Sequence, residues 1–213
     1  MSYVLEVLPA LLNGAVVTLQ VFFIVIVLSI PLGIVLAFLM QIKFKPLNWL
    51  LTLYVWIMRG TPLLLQLIFV YYVLPSVGIV FDRLPAAILA FTLNYAAYFA
   101  EIYRSGIESM PVGQYEAAEI LGYSKSQTFL HIILPQVIKR ILPSVTNEVI
   151  TLVKDTSLAF VIAVSEMFTI AKALASSQTS MVPYVAAGIF YYVFNYVVAW
   201  VMELFEKKLN YYR

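Results

Sequence analysis

The chain has 213 residues and a formal net charge of +2, with 63% of its residues hydrophobic and 11% charged. Soluble domains are about half apolar and about a quarter charged, so one protein core cannot cover this much apolar surface and a lipid bilayer must. The lack of cysteine excludes a disulfide framework and a thiolate metal site, and no basic run with interleaved aromatic residues indicates nucleic-acid binding. The composition therefore predicts an all-α membrane protein.

Five regions are long and apolar enough to span a bilayer, which takes about 20 residues of helix. They cover residues of about 11–40, 47–75, 85–107, 136–164 and 183–205, and we assign the whole chain, 1–213, to one transmembrane domain. The N-terminus has neither a positively charged start nor a small-residue cleavage site. We therefore expect no cleaved signal peptide and a first span that stays in the mature protein.

The second region is interrupted by Arg59–Pro62, where a glycine and a proline stand close together. Each half has about a dozen residues and is too short to cross a bilayer alone. Three interpretations stay open: a plain proline kink, a water-filled break beside a solute pathway, or a first half, Leu47–Met58, that lies flat at the membrane surface. The sequence favours the water-filled break, because backbone groups freed at membrane depth must face protein or a wet cavity.

The segment 111–135 separates the third and fourth regions and contains the most polar long stretch of the chain. Gly122 stands where a left-handed helix cap is expected, and Ser124 and Gln127 have the spacing of a capping box. These signals predict two short helices joined by a turn, the second of them ended by Leu134-Pro135. Such an element can dock on a second protein, or it can simply cap the loop between two spans. Residues 165–182, after the fourth region, are predicted to be a polar connection.

Polar residues form one face on each of two predicted spans. In the fourth region the face holds Ser144, Asn147, Glu148, Thr151, Lys154 and Asp155, and in the third it holds Asn94, Tyr98, Glu101 and Ser105. Charges inside lipid cost at least about 2.5 kcal/mol each, so both faces must meet protein or water. Alternatively, the charges neutralise one another, Glu101 with Arg104 on its own helix and Lys154 with a carboxylate on a neighbouring span.

The distribution of lysine and arginine predicts the orientation, because cytoplasmic loops are enriched in both. With the N-terminus outside and the C-terminus cytoplasmic, only Arg83 and Lys172 lie outside. The cytoplasmic side then holds Lys43, Lys45, Lys125, Lys139, Arg140, Lys207, Lys208 and Arg213. This orientation places the segment 111–135 in the cytoplasm.

Four motifs resemble one known family in order along the chain. Glu116-Ala117-Ala118, Gly122, Ile132 and Leu134-Pro135 match the EAA motif of the permease subunits of binding-protein-dependent ABC importers. The region around Thr18, RGTPLLLQL at Arg59–Leu67 and KDTSL at Lys154–Leu158 resemble the polar amino-acid branch of that family. The resemblance implies the type I importer permease fold, with five transmembrane helices and a cytoplasmic coupling helix, in a bacterial plasma membrane. It also implies contact with an ATPase at Glu116, Ala117, Ala118 and Gly122.

The resemblance implies several partners as well. They are a cytoplasmic ATP-binding subunit, an extracellular or periplasmic substrate-binding protein, and a second permease copy in a homodimer or heterodimer. The chain has no G-x-x-x-x-G-K-[ST] loop to cradle phosphates, so we expect no cofactor in this chain and ATP and Mg in the partner ATPase. The chain is thus predicted to be a transport subunit and not an enzyme.

The predicted function is passage of a polar amino acid through the membrane. A basic substrate is slightly favoured over a glutamine-like one, because the carboxylates on or beside the two polar faces, Glu101, Glu148 and Asp155, outnumber the cations Arg104 and Lys154 by one. The predicted substrate-binding residues are Asn94, Tyr98, Glu101, Glu148, Thr151 and Asp155. One alternative is a stand-alone secondary transporter or channel. Another is an intramembrane enzyme, for which carboxylates would be the only catalytic groups at membrane depth. The chain has no cysteine, and its single histidine, His131, lies in the segment 111–135.

Overall fold

The computed structural model describes residues 2–209, and Arg213, predicted to lie inside, falls outside the described residues. All regular structure in this range is helical, which confirms the all-α prediction. The α-helices are α1 (Ser2–Met40), α2 (Lys45–Gly60), α3 (Leu63–Ile68), α4 (Arg83–Glu108), α5 (Val112–Ile120), α6 (Lys125–Gln127), α7 (Leu134–Asp155), α8 (Met167–Gln178) and α9 (Val182–Lys208). Shorter π or 3-10 turns cover Phe69–Val73, Leu74–Val77, Thr128–Ile133 and Thr156–Ile162.

Helix α4 forms the centre of the bundle. It packs most extensively on α1 and also contacts α2, α3 and α7. Small residues make the approach to α1 close: a Cβ added at Gly33 would lie 2.6 Å from the Phe99 Cβ, so only glycine fits there. The main apolar core forms around α4, with residues such as Val21, Phe91 and Leu152 fully buried.

Among the described residues, two helices are long and apolar enough to cross a membrane, Val7–Met40 and Val182–Lys208. Two bent pairs raise the number to four if each pair is one span: Lys45–Gly60 with Leu63–Val77, and Lys125–Ile162 with Met167–Gln178. The predicted third region corresponds to α4, which is not among these candidates. It carries several polar residues and is packed against other helices. The five-span count therefore stays a prediction.

The break in the second region is a sharp turn of 109° between α2 and α3. This angle is far larger than a plain proline kink in a straight span. Two amide side chains satisfy a carbonyl group freed at the break, because Gln66 Nε2 and Asn94 Nδ2 both donate to Met58 O at 2.9 Å. The amides thus tie the broken helix to α4.

The docking segment, residues 111–135, contains the predicted turn and the predicted capping box. Gly122 has φ +80°, and Ser124 and Gln127 exchange the two capping hydrogen bonds. The predicted helix end at Leu134-Pro135 is wrong, because the backbone stays helical through a π turn at Thr128–Ile133 and continues into α7. The wider turn accommodates the missing N–H of Pro135, and Gln136 Nε2 donates to Ile132 O at 2.7 Å.

The predicted polar connection at 165–182 consists mostly of helix α8, which the sequence analysis did not predict. Glu166 caps this helix: its carboxylate accepts hydrogen bonds from the Phe168 and Thr169 backbone N–H groups, both at 2.7 Å. The same carboxylate accepts a hydrogen bond from the Tyr191 hydroxyl of α9 at 2.8 Å. The buried cap therefore fastens α8 to α9.

Candidate functional site

A cavity of about 290 Å³ lies between the α2–α3 break, α4 and α7. Residues of the α2–α3 break line one side of the cavity. The polar faces of α4 and α7 line the other sides. Its lining residues are Thr61, Pro62, Leu63, Asn94, Tyr95, Tyr98, Glu148, Thr151 and Asp155. Five of the six predicted substrate-binding residues are thereby brought together.

Helical spacing explains this convergence. Asn94 and Tyr98 are one turn apart on α4, and Glu148, Thr151 and Asp155 recur at steps of three and four on α7. Because α4 and α7 pack side by side, their polar faces meet across the cavity.

Glu101 is the predicted residue that does not line the cavity. It lies on α4 one turn beyond Tyr98, where Arg104 Nη2 and Nε donate to its two carboxylate oxygens at 2.8 and 3.0 Å. Arg104 Nη1 also donates to Glu108. The predicted pair of Glu101 with Arg104 is thus present in the structure.

Sequence reasoning missed Tyr95, whose hydroxyl donates to Asp155 Oδ2 at 2.7 Å. Tyr95 is 2% exposed, so its hydrogen bond joins α4 to α7 inside the bundle. Gln66 was missed as well: its Oε1 accepts from Asn94 Nδ2 at 2.9 Å and orients that amide. The position of Tyr95 beside Asn94 in the sequence was a possible signal that it lies near the site. Its partner Asp155, however, is 60 residues away along the chain, so the hydrogen bond itself had no local signal.

The charges around the cavity are unevenly paired. Among the described residues, neither Glu148 nor Asp155 has an ion-pair partner within 4 Å. Lys154 is exposed, and the predicted pair between it and a carboxylate of a neighbouring span does not form within residues 7–209. The lining therefore carries two acidic groups with no cation directly opposite.

The docking segment presents an exposed apolar surface at the end of the bundle where α4 ends and α7 begins. Ile120 and Leu121 are 86% and 73% exposed, although both are large apolar residues. Glu116 and Ala117 are exposed, whereas Ala118 is buried beneath the helix. An exposed apolar patch of this kind is typical of a protein–protein contact.

Residues 29–211 match the sequence profile of a family described as the binding-protein-dependent transport system inner membrane component. The chain belongs to this permease family. The resemblance of the motifs to ABC importer permeases is thereby confirmed, and the protein is a membrane permease subunit of an ABC importer. In this family ATP hydrolysis is carried by a separate ATPase, so the permease is not an enzyme.

Two amino-acid permeases match the chain over nearly its whole length. The L-cystine transport system permease protein TcyB of Bacillus subtilis (strain 168) is 34% identical over 96% of this chain and 88% of its own. The arginine transport system permease protein ArtQ of the same organism is 36% identical over 95% of this chain and 94% of its own.

A solved structure supports the type I importer fold. The crystal structure of an amino acid ABC transporter with histidines contains a chain that superposes with a TM-score of 0.90. That chain is 30% identical to the permease, and the match covers 97% of both chains. The permease fold predicted from the motifs is thereby confirmed.

The described residues contain no group of three or more histidine, cysteine, aspartate and glutamate side chains that could hold a metal ion.

Proposed function

We propose that the permease passes a polar amino acid across the membrane through the cavity between the α2–α3 break, α4 and α7. The observation that carries this proposal is the convergence of Asn94, Tyr98, Glu148, Thr151 and Asp155 around one space of about 290 Å³. Carboxylates accept hydrogen bonds from an ammonium group, and the amide and hydroxyl groups can donate and accept. Glu101, the sixth predicted ligand, is not part of this proposal, because Arg104 already donates hydrogen bonds to both its carboxylate oxygens.

The charge of the lining supports a cationic substrate more than a neutral one. Glu101 is compensated by Arg104, whereas Glu148 and Asp155 leave the cavity with an acidic excess. An amino acid with a basic side chain offers two cationic groups to these two carboxylates. A glutamine-like substrate would use its ammonium group alone, and it remains the second candidate. The names of the relatives, an arginine and an L-cystine permease, support amino acids as the class.

The energy for transport comes from an ATP-binding subunit that docks on α5 and the following turn. In this proposal Glu116, Ala117 and Gly122 form the contact, and Ala118, buried beneath α5, supports the helix from below. The apolar Ile120 and Leu121 extend the contact, because they are otherwise exposed to water. The lysine and arginine distribution supports a cytoplasmic docking segment, an outer N-terminus and a cytoplasmic C-terminus. A substrate-binding protein delivers the amino acid from the outer side.

A second permease copy completes the pathway. On a single chain Ser144, Asn147 and Lys154 of α7 are exposed, although polar groups at membrane depth must face protein or water. A homodimer or heterodimer that brings this face against another permease would remove the polar groups from lipid. The two polar faces would then enclose a hydrated route.

The test is ATP-driven uptake of L-[³H]arginine and L-[³H]glutamine by the permease reconstituted with its ATPase and binding protein. Glu148→Gln and Asp155→Asn should each reduce uptake about tenfold or more, since each removes a charge-assisted hydrogen bond. The matched control is Glu203→Gln, which changes an exposed carboxylate paired with Lys207 on α9, away from the cavity. Unchanged uptake in both cavity variants would reject the site, and full uptake without the ATPase would favour a stand-alone transporter.

A further inference from the structure

The side chain of Arg59 lies between the cavity and the ion pairs beside it. It belongs to the last turn of α2, directly before the break. Its guanidinium carbon is 5.5 Å from the centre of the Tyr98 ring, which lines the cavity. Its Nη1 is 3.5 Å from Glu101 Oε1 on α4. Arg59 is thus a cation that contacts the wall of the cavity without belonging to its lining.

The contact of Arg59 with Glu101 is long compared with the other contacts of that carboxylate. Arg104 holds Glu101 through two hydrogen bonds of 2.8 and 3.0 Å, and charge-assisted bonds of this length are the strong ones. If Arg59 moves away, Glu101 keeps its two hydrogen bonds to Arg104 and is not left without a counter-charge. The side chain of Arg59 is also 39% exposed, so no tight packing prevents the movement.

A cation beside the cavity would be required to bind the carboxylate of an amino acid substrate. Every amino acid carries a carboxylate as well as an ammonium group, and Glu148 and Asp155 would repel the carboxylate. The planar guanidinium group of arginine binds carboxylates through two parallel hydrogen bonds, which gives direction as well as affinity. The other cation beside the cavity, Lys154, is exposed on the flank of α7.

We propose that Arg59 binds the carboxylate of the amino acid substrate, and that it exchanges its contact with Glu101 for this one when the substrate enters. The inference rests on the proposed function and deepens it, because it assigns the group that distinguishes an amino acid from a simple amine. Glu101 is then the resting partner of Arg59 and not a substrate ligand.

The test compares ligands that differ only in the carboxylate. The purified permease–ATPase complex is titrated with L-arginine and with agmatine, its decarboxylated counterpart. The wild type should bind L-arginine at least about tenfold more tightly than agmatine, the size of one charge-assisted hydrogen bond. Arg59→Gln should bring the ratio of the two affinities close to one while agmatine binding is retained. Arg83→Gln, which changes an arginine near Tyr71 outside the cavity, is the matched control and should keep the wild-type ratio.

A second variant should change the preference for L-arginine over agmatine in the opposite direction. Glu101→Gln removes the competing carboxylate, so Arg59 is more available and the preference for L-arginine should rise. If Glu101 itself held the ammonium group, the same change would weaken both ligands, and that result would overturn the inference. A ratio unaltered by Arg59→Gln would overturn it as well.

The inference and the proposed function fail in different ways. If the wild-type complex prefers L-glutamine, the same comparison is made with L-glutamine and 4-aminobutanamide. A wild-type complex that binds neither amino acid would overturn the proposed substrate class together with this inference. A wild-type complex that binds one of them while Arg59→Gln leaves the discrimination intact would overturn the inference alone.

Discussion

At the scale of single residues, the cavity depends on which carboxylates already have a partner. Arg104 holds Glu101 through two short hydrogen bonds, whereas Asp155 receives only the hydroxyl hydrogen bond of Tyr95 among the described side chains. A tyrosine leaves the negative charge of Asp155 in place and at the same time aims the carboxylate. The carboxylates that we propose as substrate ligands therefore differ from Glu101, which has the same chemistry, in having no cationic partner within 4 Å among the described residues.

Tyr95→Phe tests this role of the hydroxyl. The variant keeps the buried ring but leaves Asp155 free to rotate, so we expect about tenfold weaker binding of L-arginine to the permease–ATPase complex. Tyr103→Phe is the control on the same helix, since Tyr103 stacks on Phe99 outside the cavity lining. Equal effects of the two variants would show that the Tyr95 hydroxyl does not orient Asp155.

At the scale of the elements, the turn between α5 and α6 requires one residue in the left-handed backbone conformation. Gly122 has φ +80°, and nothing lies within 4 Å of a Cβ added there. The strain of a substitution therefore comes from the backbone alone, because β-branched residues rarely adopt this conformation.

Gly122→Val is expected to cost at least about 1–2 kcal/mol in the turn and to misalign α5 relative to α6. Co-purification of the ATP-binding subunit should fall, while membrane insertion of the permease stays normal. Gly113→Val is a matched control, because a Cβ there also meets nothing within 4 Å and the backbone has no positive φ. Normal recovery of the ATPase with Gly122→Val would contradict the assigned contact.

Helix α8 depends on the Glu166 cap in a similar way. Glu166→Gln replaces an oxygen that only accepts hydrogen bonds by an NH₂ group that faces other donors. We expect a loss of about 1–3 kcal/mol in the free energy of unfolding, the usual effect of an unsatisfied buried group. Thermal unfolding in detergent should show a lower Tm for Glu166→Gln than for Glu203→Gln, the exposed control on α9. Identical Tm values for the two variants would show that the Glu166 cap does not stabilise the fold.

At the scale of the whole molecule, the surface of the chain has two kinds of exposed helix face. The outer face of α9 is apolar, with Val193, Val197 and Trp200 exposed, and is suited to lipid. The exposed face of α7 is polar and is unsuited to it. This difference predicts which face meets a second permease.

Disulfide cross-linking can identify that face, and the absence of cysteine from the chain makes single variants unambiguous. Asn147→Cys on α7 should give a covalent dimer in oxidised membranes, and Val197→Cys on α9 should stay monomeric. The two variants are compared by non-reducing gel electrophoresis. Dimers from Val197→Cys, with none from Asn147→Cys, would move the interface to α9.

Much of this molecule could be predicted from residues close together along the chain. The apolar regions, the polar faces of α4 and α7, the break at Arg59–Pro62 and the turn at Gly122 all follow from composition or from spacing within one helix. The EAA motif extended this to the family. The mistaken helix end at Leu134-Pro135 has a local origin too, because proline usually ends a helix unless the turn before it widens.

The packing of distant helices decided the rest. Tyr95 became a partner of Asp155, and Glu166 a partner of Tyr191, only when α4 met α7 and α8 met α9. The spacing rules of a single helix contain no information about these pairs, since hydrogen bonds depend on atoms a few ångströms apart in space. The sequence offered two roles for Glu101, as a cavity residue and as the partner of Arg104 three positions along the same helix. The folded chain forms the ion pair, leaves Glu101 out of the cavity lining and places Arg59 of α2 beside it.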